Sequence, residues 1–159
     1  MSNDMEWARV ERLLDAPIET VWKMWTDADL FAKWYGPMGF RVPVSEMDVT
    51  VGGTRKICME MQTPERTMTM WFTGKYTDVS APNRLSYSEA MCDADGNVLS
   101  PSDMGMPEGT PASTEVVVEL EEKDGKTLLK MTHIGVPAGS PGEGGWTQAI
   151  DKLAGLLSN

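Results

Sequence analysis

The sequence predicts an α+β fold in which one curved antiparallel sheet wraps around a long C-terminal helix. Two observations carry this prediction. Trp146, Ile150, Leu153 and Leu157 recur at helical spacing and define one apolar face about four turns long. Most of the preceding chain alternates apolar and polar residues, which is the two-residue period of a strand. Because a helix with one apolar face must pack that face against another element, we expect the sheet to cover it.

The first 37 residues predict one strand and two short helices. Residues 7–13 mix aromatic and β-branched side chains with charges, as an opening strand does. Asp15 is a candidate helix cap, and the apolar spacing that follows predicts a helix over residues 17–25. Asp27 offers a second cap for a short helix that Gly36 and Pro37 end. We expect these two helices to close one end of the sheet.

The middle of the chain predicts an antiparallel meander of four strands. Period-two alternation covers residues 40–51, 54–61, 67–77 and 85–91. Turn-forming residues separate these segments, with Gly52 and Gly53 as the clearest hairpin signal.

The last third predicts a long loop, a hairpin and a connection into the final helix. Residues 92–113 are rich in glycine and proline, and loops of this length are usually functional or disordered. Residues 93–97 weakly resemble a calcium loop, but the glycine comes two positions early and Met104 replaces the bidentate glutamate, so a plain turn is favoured. Residues 114–120 and 127–134 predict the hairpin, and residues 135–145 the connection.

Composition limits the class of protein. A length of 159 residues suits one domain, residues 1–159, with a sizeable core. The 14 basic and 24 acidic residues give a net charge of −10, which argues against binding nucleic acid or an anionic membrane surface. Cys58 and Cys92 have no CxxC spacing, so we expect free thiols in a reducing compartment. No signal peptide or transmembrane run is evident, and we therefore expect a cytoplasmic protein.

The order of elements and several local motifs resemble the START-like, birch-pollen-allergen-like superfamily (SRPBCC), and more narrowly its Aha-type family, the homologues of the activator of the ninety-kilodalton heat-shock chaperone's ATPase. This resemblance implies a helix-grip fold, a possible chaperone partner and a role in stress response. The chain departs from the family at Arg55, where an aromatic residue is common. The motifs are Asp15 to Trp22, Trp25-Thr26-Asp27, Lys33-Trp34-Tyr35-Gly36-Pro37, Asp48 with Gly52-Gly53, Gly74-Lys75-Tyr76, Pro82-Asn83-Arg84-Leu85, Thr132-His133 and Gly145-Trp146.

Three polar residues lie on predicted strand faces that are otherwise apolar. They are Arg55, Glu89 and His133. One interpretation places them in a cavity, where they orient a ligand's polar group or transfer protons. In the second interpretation, His133 is a hydrogen-bonded core residue, and Arg55 and Glu89 form a structural ion pair. With a single histidine, no phosphate loop and no nucleophile elbow, we predict no metal, no cofactor and no assigned catalytic residue.

We expect a small hydrophobic ligand, such as a lipid or polyketide, to bind between the sheet and the last helix. The 13 methionines support this hypothesis, because thioether side chains adapt to irregular apolar surfaces, although they also fill ordinary cores. The alternatives are a chaperone ATPase regulator, and an aromatase or cyclase in which Arg55, Glu89 and His133 handle protons. The predicted ligand-binding residues are Trp34, Phe40, Arg55, Ile57, Met59, Met70, Phe72, Tyr87, Glu89, Met131, His133, Trp146 and Ile150.

Overall fold

A computed structural model describes residues 7–100 and 113–157. Its elements confirm the predicted α+β class, with two short helices after the first strand and a seven-stranded antiparallel sheet in the order β1-β7-β6-β5-β4-β3-β2. The last helix packs on the concave face, which is the helix-grip architecture. The elements are β1 (Trp7–Leu14), α1 (Ile18–Thr26), α2 (Ala28–Phe31), β2 (Arg41–Met47), β3 (Thr54–Gln62), β4 (Thr67–Ser80), β5 (Arg84–Cys92), β6 (Thr114–Lys123), β7 (Lys126–Pro137) and α3 (Pro141–Leu157).

The β6–β7 hairpin shows how the alternating pattern sets the register. Asp124 and Gly125 both have positive φ, 53° and 82°, as a two-residue hairpin turn with the twist of the strands requires. That turn pairs Val118 with Met131 and Val116 with His133. All four side chains are buried on the concave face, so the turn chemistry and the hydrophobic pattern specify the same register.

Two short helices follow the first strand, as predicted, but the capping residue of the first one differs from the prediction. Asp27 caps α2 by accepting the backbone N–H groups of Asp29 and Leu30. Asp15 does not cap α1, since the N-cap residue is Pro17 and no side chain bonds to the first turn. The indole N–H of Trp34 donates to the carbonyl of Met24, which joins the segment after α2 to α1 inside the core.

The final helix begins earlier than the glycines suggest. Residues 135–145 were expected to be a connection, but β7 continues to Pro137 and α3 starts at Pro141. The Glu143 carboxylate accepts the backbone N–H groups of Arg9 and Gly139, which stabilises this glycine-rich first turn and ties it to β1. The Ser140-x-x-Glu143 spacing is a capping-box signal that was available in the sequence.

The described part of the long loop is a turn followed by a single bridge. The Asp93 carboxylate accepts the backbone N–H groups of Asp95 and Asn97, so its oxygens close an Asx-type turn. Cys92 then pairs with Val98 in an isolated bridge. Met104 and the remainder of the predicted loop, residues 101–112, lie outside the described residues.

Gly74 allows β4 and β5 to approach closely beside a register shift between Tyr76 and Asp78. A Cβ atom at Gly74 would overlap the carbonyl of Ser88, whereas one at Gly144, on the exposed side of α3, would meet nothing within 4 Å. We therefore predict that Gly74→Ala lowers the free energy of unfolding by about 2 kcal/mol or more. Gly144→Ala, the matched control, should raise it by up to about 1 kcal/mol. Urea denaturation measures both, and equal effects would contradict the close approach.

Candidate functional site

A cavity of about 320 Å³ lies between the first half of α3 and the middle strands of the sheet. The segment between α2 and β2 closes it on the third side, through Tyr35, Gly36, Pro37 and Phe40. The wall is largely apolar and aromatic. The predicted site residues that line it are Phe40, Met59, Met70, Phe72, Glu89, His133 and Trp146.

The other predicted site residues are buried in the core next to the cavity but do not line it. Trp34 packs against Trp25 and Phe31, behind Tyr35, which is the aromatic residue of that motif that reaches the cavity. Ile150 faces the packed core one position beyond Ala149, which does line the cavity. The residues placed in this way are Trp34, Arg55, Ile57, Tyr87, Met131 and Ile150.

The part of the cavity wall that consists mostly of glycine, proline and alanine residues was not predicted from the sequence. Ala149 lies three residues after Trp146, so helical spacing could have placed it on the same face. The glycines and prolines carry no such signal, because they line the cavity through close approach of backbones rather than through an apolar pattern. The missed lining residues are Tyr35, Gly36, Pro37, Val136, Pro141, Gly142, Gly145 and Ala149.

His133 is held by hydrogen bonds at both ring nitrogens. Trp146 Nε1–H donates to His133 Nδ1 at 2.9 Å, and His133 Nε2 lies 2.7 Å from Thr114 Oγ1. Because an indole can only donate, Nδ1 must be unprotonated, and the proton of the neutral ring is on Nε2. Nε2–H then donates to Thr114, whose hydroxyl donates to the Glu89 carbonyl at 3.2 Å. The ring is thereby fixed in one tautomer with neither nitrogen free.

Glu89 forms a buried ion pair with Arg55. Arg55 Nη1 is 3.3 Å from Glu89 Oε2, and the hydroxyl of Tyr35 donates to the same oxygen at 3.2 Å. The two charged residues are 1% and 5% exposed. Burial raises the pKa of Tyr35, and the Glu89 carboxylate raises it further, so the phenol keeps its proton and donates it to Oε2.

Aromatic rings surround the Arg55 guanidinium. Its Cζ atom lies 3.7 Å from the centroid of the Tyr87 ring, 5.4 Å from that of Phe31 and 5.8 Å from that of Tyr76. Ring faces stabilise a desolvated cation, which partly offsets the cost of burying it. An arginine at this position therefore acts as the counter-ion of Glu89 from within the core, whereas an aromatic residue would only fill space.

Two side chains of α3 hold the segment that closes the cavity. Lys152 Nζ donates to the carbonyls of Tyr35 and Pro37 at 3.4 and 3.3 Å, and burial lowers the pKa of this lysine. Gln148 Oε1 accepts the backbone N–H of Met38 at 2.9 Å. The helix and the segment it covers are thus connected at the exposed side of the cavity.

The two cysteines and the possible metal ligands are further chemistry-bearing groups of residues 7–100 and 113–157. Cys58 and Cys92 are free and buried, as expected for unpaired thiols, and burial raises the pKa of each. Across residues 7–100 and 113–157, no three His, Cys, Asp or Glu side chains come together as a metal site would require. None of the helices in the described part of the chain combines the length and hydropathy that a membrane crossing needs.

Acidification should destabilise the protein through His133. Burial lowers the pKa of this imidazole, and Glu89 opposes the shift only in part. Below a pH of about 6.5, the ordinary pKa of histidine, His133 therefore binds a proton more readily in the unfolded chain than in the folded chain. Stability from this group is complete above about pH 6.5 and declines as the pH falls below it, by at most about 1.4 kcal/mol per pH unit.

Urea denaturation at pH 7.5 and 5.5 checks this prediction, because the chain has a single histidine. The control is His133→Gln, whose amide oxygen can still accept the Trp146 N–H but does not titrate; it should lose the pH dependence in this interval. An unchanged or higher stability of the wild-type chain at pH 5.5 would contradict the fixed neutral tautomer.

Removing the Lys152 ammonium should loosen the segment over the cavity without unfolding the protein. We predict that Lys152→Met speeds amide hydrogen exchange at Met38 and Phe40 by about tenfold, since a hydrogen bond to a charged group contributes about 1.5 kcal/mol or more. Lys130→Met, at an exposed position of β7, is the control and should leave these amides unchanged. Exchange that is equal in the two variants would show that Lys152 does not hold this segment.

Comparison with known proteins agrees with the fold. A crystal structure of protein CV1439 from Chromobacterium violaceum is 28% identical, with a TM-score of 0.73 over 95% of this chain and 96% of that one. A crystal structure of the AHSA1 protein from Silicibacter pomeroyi is 24% identical, with a TM-score of 0.70 over 94% and 96%. A solution structure of an AHSA1-like protein from Aeromonas hydrophila is 24% identical, with a TM-score of 0.67 over 94% and 92%.

No curated protein matches the sequence significantly. The family model described as "Activator of Hsp90 ATPase homolog 1-like protein" matches residues 15–158, which is most of the chain. That range includes every motif on which the predicted resemblance rests, and the similar solved structures include two that are named AHSA1 or AHSA1-like. The chain therefore belongs to the activator of Hsp90 ATPase homolog 1-like family of the START-like superfamily.

Proposed function

We propose that this protein binds a small, largely apolar molecule in the cavity between the sheet and α3. The observation that carries the proposal is the cavity itself, whose volume of about 320 Å³ falls within the range of small-molecule sites. Its wall combines flexible thioethers, Met59 and Met70, with flat aromatic surfaces such as Phe72 and Trp146. Such a wall suits an apolar molecule of irregular shape.

The small side chain of Ala149 supports this proposal because it leaves space open beside α3. Gly145 lines the cavity where the helix packs closely on Pro37, since a Cβ atom there would come within 3.2 Å of the proline Cγ atom. Ala149 follows one turn later and also lines the cavity. A helix built for close packing would carry larger side chains on this face, as α3 does further on at Ile150 and Leu153, which are fully buried.

The geometry favours binding over catalysis. A general acid or base needs a nitrogen or oxygen that can exchange a proton with substrate, and both ring nitrogens of His133 are already engaged. Glu89 Oε2 is likewise shared between Tyr35 and Arg55. The aromatase or cyclase hypothesis therefore depends on Glu89 Oε1 alone. It predicts loss of turnover in Glu89→Gln protein that circular dichroism shows to be folded.

Regulation of a chaperone ATPase is a second candidate, and the observation that favours it is the description of the family model. It is tested by adding the purified protein to Hsp90 and measuring ATP hydrolysis. A concentration-dependent rise in ATP hydrolysis would support this function. An unchanged rate, together with no co-purification of the protein with Hsp90, would contradict it. Ligand binding in the cavity does not depend on this outcome.

Filling part of the cavity should weaken binding while the fold remains. We predict that Ala149→Leu weakens binding of 2-methoxynaphthalene, an apolar fluorescent probe, by at least about tenfold, because the added methylenes occupy the ligand's space. Ala154→Leu is the matched control: Ala154 lies on the same helix, packs against the core and does not line the cavity. Equal affinities in the two variants, with both shown to be folded by circular dichroism, would place the probe elsewhere.

A further inference from the structure

One oxygen of the buried Glu89 carboxylate has no donor. Oε2 accepts from Tyr35 and Arg55, whereas Oε1 accepts no hydrogen bond among residues 7–100 and 113–157. His133 Nε2 lies 3.9 Å from Oε1, and its proton is directed to Thr114 instead. A carboxylate oxygen beside an apolar cavity wall that supplies no donor is available to a donor on a ligand.

The cavity is the place from which a donor can approach Oε1. Glu89 lines the cavity and is 5% exposed, while the core side of its carboxylate is occupied by Tyr35 and Arg55. We propose that the ligand of this cavity is a hydroxylated aromatic molecule that donates its O–H to Glu89 Oε1. The inference rests on the proposed binding function and goes further by naming the group that is recognised.

The charge balance favours a neutral donor. Arg55 already compensates the Glu89 charge, so an ammonium group on the ligand would leave one net positive charge in an apolar site and would have to lose its hydration. A carboxylate group on the ligand would face Glu89, and Arg55 cannot reach it, since the guanidinium is 1% exposed and stacked on Tyr87. A hydroxyl group avoids both costs and forms a charge-assisted hydrogen bond.

The shape of the wall favours a flat ring system. The indole of Trp146 stands nearly perpendicular to Tyr35, with ring centroids 5.7 Å apart, and Phe40 and Phe72 complete the aromatic surface. Aromatic pairs prefer such edge-to-face and offset arrangements, and a ligand ring between these walls would extend them.

A series of naphthalene probes of similar size tests the inference on the wild-type protein, with affinities measured by fluorescence titration at pH 7.5. We expect 2-naphthol to bind at least about tenfold more tightly than 2-methoxynaphthalene, which has an ether in place of the donor. We expect 2-naphthoate and 2-naphthylmethylammonium to bind more weakly than 2-methoxynaphthalene. Equal affinities of the naphthol and the ether, or tightest binding of either ion, would overturn the inference.

The series separates the two proposals. If 2-methoxynaphthalene binds and 2-naphthol binds no more tightly, Glu89 Oε1 is not the acceptor of a ligand hydroxyl group, and the proposed binding function remains. If no probe of the series binds, the proposed function fails for aromatic ligands and the further inference fails with it.

A spectroscopic readout and a variant identify the acceptor. Bound 2-naphthol should lose its proton at higher pH than free 2-naphthol, because Glu89 disfavours a phenolate beside it, and ultraviolet absorption follows this titration. Glu89→Gln alone leaves Arg55 as an unpaired buried charge and can fail to fold. The double variant Glu89→Gln/Arg55→Met removes both charges. It should lose most of the preference for the naphthol while still binding the ether; an undiminished preference would show that Glu89 is not the acceptor.

Discussion

The hydrogen bond from Trp146 to His133 is the interaction on which the candidate site depends. It joins the first half of α3 to β7 through two rings that stand nearly perpendicular, with centroids 5.9 Å apart and an interplanar angle of 85°. Two large side chains therefore lie between the backbone of the helix and that of the sheet at this point. The space beside this contact is the cavity, and the indole is part of its wall.

The buried ion pair places one carboxylate at the edge of an otherwise apolar cavity. Arg55 and Glu89 cancel each other's charge, and the rings of Phe31, Tyr76 and Tyr87 surround the cation. Glu89 Oε2 thus accepts hydrogen bonds from Tyr35 and Arg55. Glu89 Oε1 has no hydrogen-bond donor among the described residues. A polar group of this kind is costly to bury, and its position next to an apolar cavity is the basis of the proposed recognition of a hydroxyl group.

The sequence predicted the fold and one side of the site because these depend on periodic patterns. The concave face could be found from period-two alternation, which placed Glu89 and His133 inward among apolar neighbours, and the final helix from Trp146 and Leu153 at helical spacing. The wall formed by residues 35–37 and by the first turn of α3 could not be found in this way. Its position depends on backbone approach and on hydrogen bonds from Lys152 and Gln148, which have no local pattern.

Tertiary packing, which has no local sequence pattern, decides between neighbouring residues. Trp34 and Tyr35 are adjacent aromatics, and only the turn after α2 decides that the tyrosine faces the cavity while the tryptophan packs in the core. Likewise, both interpretations of His133 predicted an inward side chain. The hydrogen bonds to Trp146 and Thr114 favour the structural role, because they leave neither nitrogen free.

The central claim is that the space beside Trp146 admits an apolar molecule, and methionine methyl NMR tests it most directly. Met59 and Met70 line the cavity, whereas Met24 and Met131 are buried in the packed core. On titration with 2-methoxynaphthalene, we predict chemical-shift changes and intermolecular nuclear Overhauser effects at the ε-methyl groups of Met59 and Met70. We predict none at the ε-methyl groups of Met24 and Met131. Signals confined to exposed methionines such as Met38, or no contacts at Met59 and Met70 at saturation, would contradict it.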